Sequence, residues 1–410
     1  MNIRLSQIKK MLRPIYNRYR GPKNEKHIRS QQVLIRKLGR ENRITYDPNA
    51  IKSEVRLRVA GKGISPQESG KLRIVTTYPP GEWTGEQLAP ALQAFGEEVY
   101  VEVSPQPSRG WLKKGRDRYN AALLETIKAE HQKGRVTAFF FYTGGNSLKR
   151  ETLQQINALG IATLMMGLDD MSGIRGPKVA GVALRFEELV DVVDLSYTST
   201  LAACKEYLLL KGRPLYLPMA GNHNLYRKLG VEKEIDVLML GWRMPSRERL
   251  VKRLRAAGFA VKTAGPGWPG GRVPIPGLVR LINAARIVVG NGDHNPYNVT
   301  DDVSITTLKA RDFEAPLAGS LYLTTFDPEL QSFYHIGSEI LCYRDWLDAE
   351  LIIEEMLQNP AKREAIAEAG YQRALAEHTW EARFRQIFQF MGLLPNMAHS
   401  GQKQSRFDNQ

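Results

Sequence analysis

Two successive runs of alternating strand and helix patterns predict an α/β chain built from two parallel-sheet domains. The first run opens at Leu72-Arg73-Ile74-Val75-Thr76-Thr77 and the second at Val237-Leu238-Met239-Leu240. Length agrees, since 410 residues, 42% of them hydrophobic and 25% charged, have the composition of a globular protein with room for two cores. The expected architecture is two Rossmann-like domains facing each other across a cleft, preceded by a basic N-terminal extension.

The elements follow in chain order. Leu5, Ile8, Leu12, Ile15 and Tyr19 recur at spacings of three and four, an amphipathic helical pattern that Pro14 would kink. Residues Tyr46 to Gly70 are polar and punctuated by Gly and Pro, and read as a linker or domain edge. Beyond Leu72 come a helix from Thr84 to Phe95 and strands at Val99 to Val103, Val136 to Tyr142, Ile161 to Leu168, Val192 to Tyr197 and Pro214 to Leu217. Helical stretches at 119–133, 149–158 and 198–210 separate most of them. The second series continues through Ala260-Val261, Ile287-Val288-Val289, Leu321-Tyr322-Leu323 and Ile340-Leu341-Cys342. Three amphipathic helices close it, Asp348 to Leu357, Ala361 to His378 and Trp380 to Met391, with Thr379 expected to cap the last. The domain boundaries expected are 1–70 for the leader and linker, 71–220, 221–378, a final helix at 379–394 and a polar tail at 395–410.

Charge is unevenly spread. Met1 to Arg43 holds 13 Lys/Arg against 2 acids, a net of +11, so the other 367 residues carry only +4 of the total of +15. The basicity belongs to the leader, which argues against a nucleic-acid-binding fold. The leader reads as a solvated segment, with peripheral contact to an anionic membrane or an acidic partner as its functional alternative. It has no apolar core of the secretory-signal kind, no apolar run reaches eighteen residues, and Cys204 and Cys342 suggest neither a disulfide framework nor a metal cluster. A cytoplasmic location is expected, peripheral to the inner membrane face at most. Walker and Gly-x-Ser-x-Gly patterns are absent, which disfavours ATPases and serine hydrolases.

The most informative stretch is Leu308 to Leu323, a short helix, a glycine turn at Gly319 and a buried strand. Arg311 and Glu314 stand three apart and share a helix face, a cation and a carboxylate suited to a phosphate and a sugar hydroxyl. Onward lie Pro328-Glu329-Leu330, Gly337-Ser338-Glu339-Ile340-Leu341-Cys342-Tyr343-Arg344-Asp345, Asn359-Pro360, Ala369-Gly370-Tyr371 and His378-Thr379-Trp380 with Arg383. This order and spacing resembles the C-terminal half of the CgeB-like glycosyltransferases, within the group-1 glycosyltransferases of GT-B architecture. The match is good from Asp236 to Leu393 and loose from Leu72 to Met219.

The resemblance implies that the second domain binds a nucleotide-sugar donor of the UDP or GDP type and the first a glycan or other hydroxyl acceptor. It also implies that the last helix crosses back onto the first domain. In related enzymes a glutamate at the place of Glu314 binds the ribose, with Lys309 and Arg311 matching basic positions beside it. Many members carry a second glutamate eight positions earlier, where this chain has Thr306. Thr306 and Thr307, with Ser304, are candidates for holding phosphates instead.

Ligands gather at the carboxyl ends of strands in such sheets, so the loops there supply the remaining candidates. In Gly241-Trp242-Arg243-Met244-Pro245-Ser246-Arg247, Arg243 and Arg247 would reach a diphosphate and Ser246 would cap the next helix. Gly265-Pro266-Gly267-Trp268 reads equally as a shelf for the base or as a turn with a packing Trp. In Gly290-Asn291-Gly292-Asp293-His294-Asn295, Asp293 and His294 are placed to orient sugar hydroxyls or to act as acid or base. On the acceptor side, Gly144 and Gly145 would allow close backbone approach, and Asp169 or Asp170 would deprotonate the acceptor. No Asp-x-Asp pair and no metal-ligand spacing occurs, so cations and helix dipoles, with no metal ion or other cofactor, are expected to stabilise the leaving diphosphate. The rival from another class is a non-catalytic nucleotide-sugar binder or surface structural protein on the same fold.

Overall fold

The computed structural model describes residues 44–81, 83–103, 108–168, 170, 174–292 and 307–396. The expected leader helix lies outside the described residues, as do Asp169, Asp293, His294 and Thr306. The described chain begins with a helix where the sequence suggests a linker. This helix, α1 (Pro48–Gly61), starts at Asp47, whose carboxylate accepts from the amides of Asn49 and Ala50. Ile51, Val55 and Val59, four apart, form its buried stripe, and Arg58 and Lys62 pair with the fully buried Asp194. Charged residues interleave with the stripe, and Leu57 faces solvent off it, which hides the pattern from a reading by composition.

The N-terminal lobe contains β1 (Leu72–Thr77), β2 (Gly96–Tyr100), β3 (Ala138–Phe141), β4 (Ala162–Gly167), a small hairpin of β5 (Lys178–Val179) and β6 (Val182–Ala183), then β7 (Leu195–Thr198) and β8 (Pro214–Tyr216). Its six-stranded sheet has the order β2-β1-β3-β4-β7-β8, and every pairing is parallel. Both faces are buried, which accounts for runs without polar alternation: Phe139 and Phe141 enter one core and Phe140 the other. The expected helix from Thr84 is broken in two, a π-turn over Thr84–Leu88 and then α2 (Ala89–Gln93). Three longer elements follow, α3 (Arg116–Lys133), α4 (Arg150–Ala158) and α5 (Cys204–Leu209).

The C-terminal lobe contains β9 (Ile235–Leu240), β10 (Val261–Ala264), β11 (Ala285–Val289), β12 (Leu321–Thr325) and β13 (Leu341–Tyr343), in the parallel order β10-β9-β11-β12-β13. Around this sheet are α6 (Pro245–Ala256), α7 (Ile275–Ala284), α8 (Arg311–Leu317), α9 (Trp346–Gln358) and α10 (Pro360–Glu377). Both sheets reverse strand order beside their first strand. The topological switch points therefore lie between β1 and β3 in one lobe and between β9 and β11 in the other, and these are where a doubly wound sheet opens a crevice.

The last helix, α11 (Trp380–Met391), leaves the C-terminal lobe and packs on the N-terminal one. Thr379 caps it by accepting from the Ala382 amide at 3.0 Å. Trp380, Phe384, Ile387, Phe388 and Met391 join the same core as Val55, Val59 and Phe140. Phe95 meets Phe388, and Phe140 meets Phe384, edge-on at 5.2 and 5.5 Å. At the crossing, the buried Arg383 donates to the Pro218 carbonyl of one lobe at 3.2 Å and to Nδ1 of His378 at 3.0 Å. Nε2 of His378 faces the Phe333 carbonyl at 2.8 Å. A guanidinium has no lone pair to offer, so Nδ1 accepts and Nε2 carries the proton. Burial, reinforced by Arg383, holds this imidazole neutral, well below the ordinary histidine range.

Candidate functional site

Arg247 stands at the switch point of the C-terminal lobe. It comes from the first turn of α6, and its Nη1 and Nη2 donate to the carbonyls of Trp242 at 3.1 Å and Asn291 at 3.4 Å. Those two carbonyls belong to the loops that follow β9 and β11, so one guanidinium ties together the two sides of the crevice. The backbone beneath requires glycine. Gly241 and Gly265 have φ of +104° and +129°, and a side chain on Gly265 would run into the Gly241 backbone. Trp268 is buried under this turn and donates from Nε1 to the Gly241 carbonyl at 3.0 Å. It serves as a packing residue, the second of the two readings of this turn, and not as a shelf for the base. Trp242, by contrast, is 61% exposed.

Arg243 does not join Arg247. It makes a two-pronged ion pair with Glu248, at 3.1 and 2.7 Å, on the exposed start of α6. Hydrogen bonds from Arg243 and then Lys252 hold the Glu248 carboxyl down to about 2. The pairing of Arg243 with Arg247 on one diphosphate is thus corrected for this conformation: a neighbouring carboxylate has taken Arg243. Ser246 does not cap α6 either. Met244 occupies the capping position without a side-chain bond, and Pro245 starts the helix.

The crevice continues towards α8. The Thr307 amide donates to the Gly292 carbonyl at 3.0 Å, and the Lys309 ammonium donates to the Thr307 hydroxyl at 2.6 Å. Asp312, which sequence reasoning missed, organises this corner. Its carboxylate accepts from the Lys309 amide and from the Tyr322 hydroxyl, each at 2.6 Å. Burial pushes its carboxyl up to about 6, against those two bonds. Gly290 leaves room for the Tyr322 hydroxyl, and Tyr343 donates to the Gly290 carbonyl at 2.9 Å. Asp312 sits between two residues singled out for charge, and only the fold reveals that it points inward.

Arg311 and Glu314 are together, as their spacing implies, with Nη1 and Oε2 3.1 Å apart. They face the seam between the lobes. Glu314 is 3% exposed and accepts from Nε2 of Gln87 in the N-terminal lobe at 2.9 Å. The Arg311 guanidinium lies 6.0 Å from the centre of the Tyr226 ring. Gly221 of the interlobe connection passes so close that an added Cβ would lie 2.6 Å from Leu317 and 3.4 Å from Cγ of Glu314. Gln87 and Tyr226 carried no sequence signal, because each meets this pair only through the fold.

On the N-terminal side three expectations are corrected. Asp170 is 4% exposed, and Oδ2 accepts from Thr198 at 2.7 Å and Tyr207 at 3.1 Å. It follows β4, one strand away from the switch point, so its geometry is that of a buried structural acceptor and not of a base open to substrate. Gly144 and Gly145 do allow close approach, but to the chain itself. An added Cβ on Gly144 would lie 2.7 Å from the Leu184 carbonyl, and the Gly145 amide donates to the Arg185 carbonyl at 2.8 Å. Among the described residues no cluster of three His, Cys, Asp or Glu could hold a metal ion, and no helix is long and apolar enough to cross a membrane.

Comparison with known proteins agrees with the class to which this fold and crevice point. Residues 245–389 match the family described as glycosyl transferase-like. AviGT4, a glycosyltransferase involved in avilamycin A biosynthesis, superposes with a TM-score of 0.50 at 14% identity, over 78% of this chain and 98% of that one. A glycosyltransferase from Rickettsia africae ESF-5 gives 0.50 at 10% identity, over 80% and 99%. The architecture is that of the GT-B glycosyltransferases. More particularly, the chain is 23% identical over 186 residues to spore protein CgeB of Bacillus subtilis, covering 40% of this chain and 57% of that relative. The chain thus spans little more than half the length of this curated relative. The C-terminal part of the chain is therefore similar to the glycosyl transferase-like family and to CgeB, on a GT-B fold.

Proposed function

We propose that this protein moves a sugar from a nucleotide-diphosphate donor to a hydroxyl acceptor such as a glycan, lipid-linked sugar or protein, with the donor held by the C-terminal lobe. The observation that carries this reading is Arg247, fixed across the β9–β11 switch point by the Trp242 and Asn291 carbonyls. A guanidinium anchored there offers charge-assisted bonds to a diphosphate, and Lys309 with Thr307 supplies a second cationic corner. These cations would stabilise the diphosphate as it leaves, so no divalent ion is required. Glu314 would take the ribose and Arg311 the adjoining charge. Thr306, Asp293 and His294 belong to the segment leading into this corner, and their proposed contacts are with the phosphates and the donor sugar.

A thermal-shift panel of nucleotides and nucleotide sugars in excess chelator tests the reading. UDP or GDP is expected to stabilise the wild type by mass action, and Arg247→Ala and Glu314→Ala are each expected to abolish the shift. Incubation with the stabilising nucleotide sugar should release the nucleotide. Binding without release under any acceptor would favour a non-catalytic nucleotide-sugar binder.

A further inference from the structure

Glu314 is the meeting point of both lobes, and its partner Gln87 is assigned no role by the fold or the family. The Gln87 side chain is fully buried in the π-turn over Thr84–Leu88. Its orientation is fixed by its neighbours: the Asn222 amide donates to Oε1 at 3.2 Å, so the NH2 end must face Glu314. Asn222 is held in turn through Nδ2, which donates to the Glu86 carbonyl at 2.7 Å. The Thr84 hydroxyl anchors the start of the turn on the Pro79 carbonyl at 2.9 Å. Gln87 therefore reaches Glu314 from a rigid base and with a single possible amide orientation.

Oε1 of Glu314 accepts from Gln87, and Oε2 lies 3.1 Å from Nη1 of Arg311 in an ion pair. A ribose presents two adjacent hydroxyl donors, and a carboxylate enclosed by its protein partners to 3% exposure receives them only when one of those partners gives way. We propose that Gln87 is an affinity-determining residue of the donor site, supplied by the opposite lobe. It occupies the Glu314 lone pairs that a ribose diol takes, so donor binding must break this interlobe bond. The inference rests on the donor reading given above. It adds that nucleotide affinity is set partly by the acceptor lobe, and that ribose capture detaches the Thr84–Leu88 turn from α8.

Titration of UDP and GDP into wild type, Gln87→Met and Gln87→Asn tests this. Met keeps the length without the donor, and Asn withdraws the amide by one methylene. Both are expected to bind whichever nucleotide the wild type takes roughly three- to tenfold more tightly, the equivalent of one hydrogen bond to the carboxylate no longer in competition. The gain should shrink for the 2′-deoxy form of that nucleotide, a dependence that a merely structural role for Gln87 would not produce. Unchanged or weaker binding in both variants, with wild-type binding intact, would overturn the inference and leave the donor reading standing. An equal gain for the ribo- and deoxyribonucleotides would also overturn it. No binding by any form, wild type included, would sink the donor reading and the inference together. Thermal melts without nucleotide verify that each variant is folded.

Discussion

At the scale of single residues, the crevice depends on where buried polar groups point. Asp312 is the clearest case, a carboxylate with almost no exposure that fixes the Lys309 backbone and the Tyr322 hydroxyl. Its carboxyl is raised from 3.8 to about 6, so the folded state binds its proton more tightly than the unfolded chain does. The sign follows: Asp312 favours folding most below pH 4, and that contribution is lost as pH rises through about 6. The change is on the order of 3 kcal/mol. Denaturant unfolding of Asp312→Asn should therefore show the variant gaining on the wild type between pH 4 and 6. A constant difference across that window would mean that Asp312 ionises freely. The sequence made Arg247, Lys309, Arg311 and Glu314 legible, because charge next to strand ends and a helical spacing are local signals. It could not show that Glu248 takes Arg243, nor that Asp170 turns into a core. Side-chain direction in a loop depends on neighbours that the sequence does not place.

At the scale of elements, α11 is the strap between the lobes and its entrance is a buried polar joint. His378 is neutral in the fold, with its pKa depressed, so the unfolded chain takes up the proton first as pH falls. Its contribution is fully present above about pH 6.5 and is lost progressively below it. His378→Gln should show a flatter loss of stability from pH 6.5 downwards than the wild type, measured by urea midpoints. Equal slopes would contradict a neutral buried ring. Strands were read from the sequence to within a few residues because both sheet faces are buried and their runs are continuously apolar. The clear failure was α1, where a stripe of three residues, Ile51, Val55 and Val59, lies among charges. That stripe has meaning only against α11, some 330 residues later.

At the scale of the whole molecule, two lobes meet along one polar seam made by Gln87, Asn222 and Glu314 and one apolar strap made by α1 and α11. The strap's core and the seam share none of these residues, since α11 packs on the N-terminal lobe through Phe384, Ile387, Phe388 and Met391. Truncating the strap should affect both lobes. Phe384→Ala empties a fully buried site beside Phe140, Trp380 and Phe388 and should cost about 3–5 kcal/mol in unfolding free energy. Calorimetric melts that show a change below 1 kcal/mol would mean that the strap carries little of the core. The two-lobe plan itself was readable from the two series of strands. The seam was not, since Gln87 lies 135 residues from Asn222 and 227 from Glu314 in the chain.

The central claim is that the β9–β11 crevice, with Arg247 across it, receives the diphosphate of a nucleotide. Calorimetric titration of UDP and GDP into wild type and Arg247→Ala, both in excess chelator, tests it most directly. The account predicts saturable one-to-one binding of at least one of these nucleotides by the wild type, weakened at least tenfold by the substitution, the loss of one charge-assisted contact. Equal affinity in both proteins would place the nucleotide elsewhere, and no binding by the wild type would contradict the account.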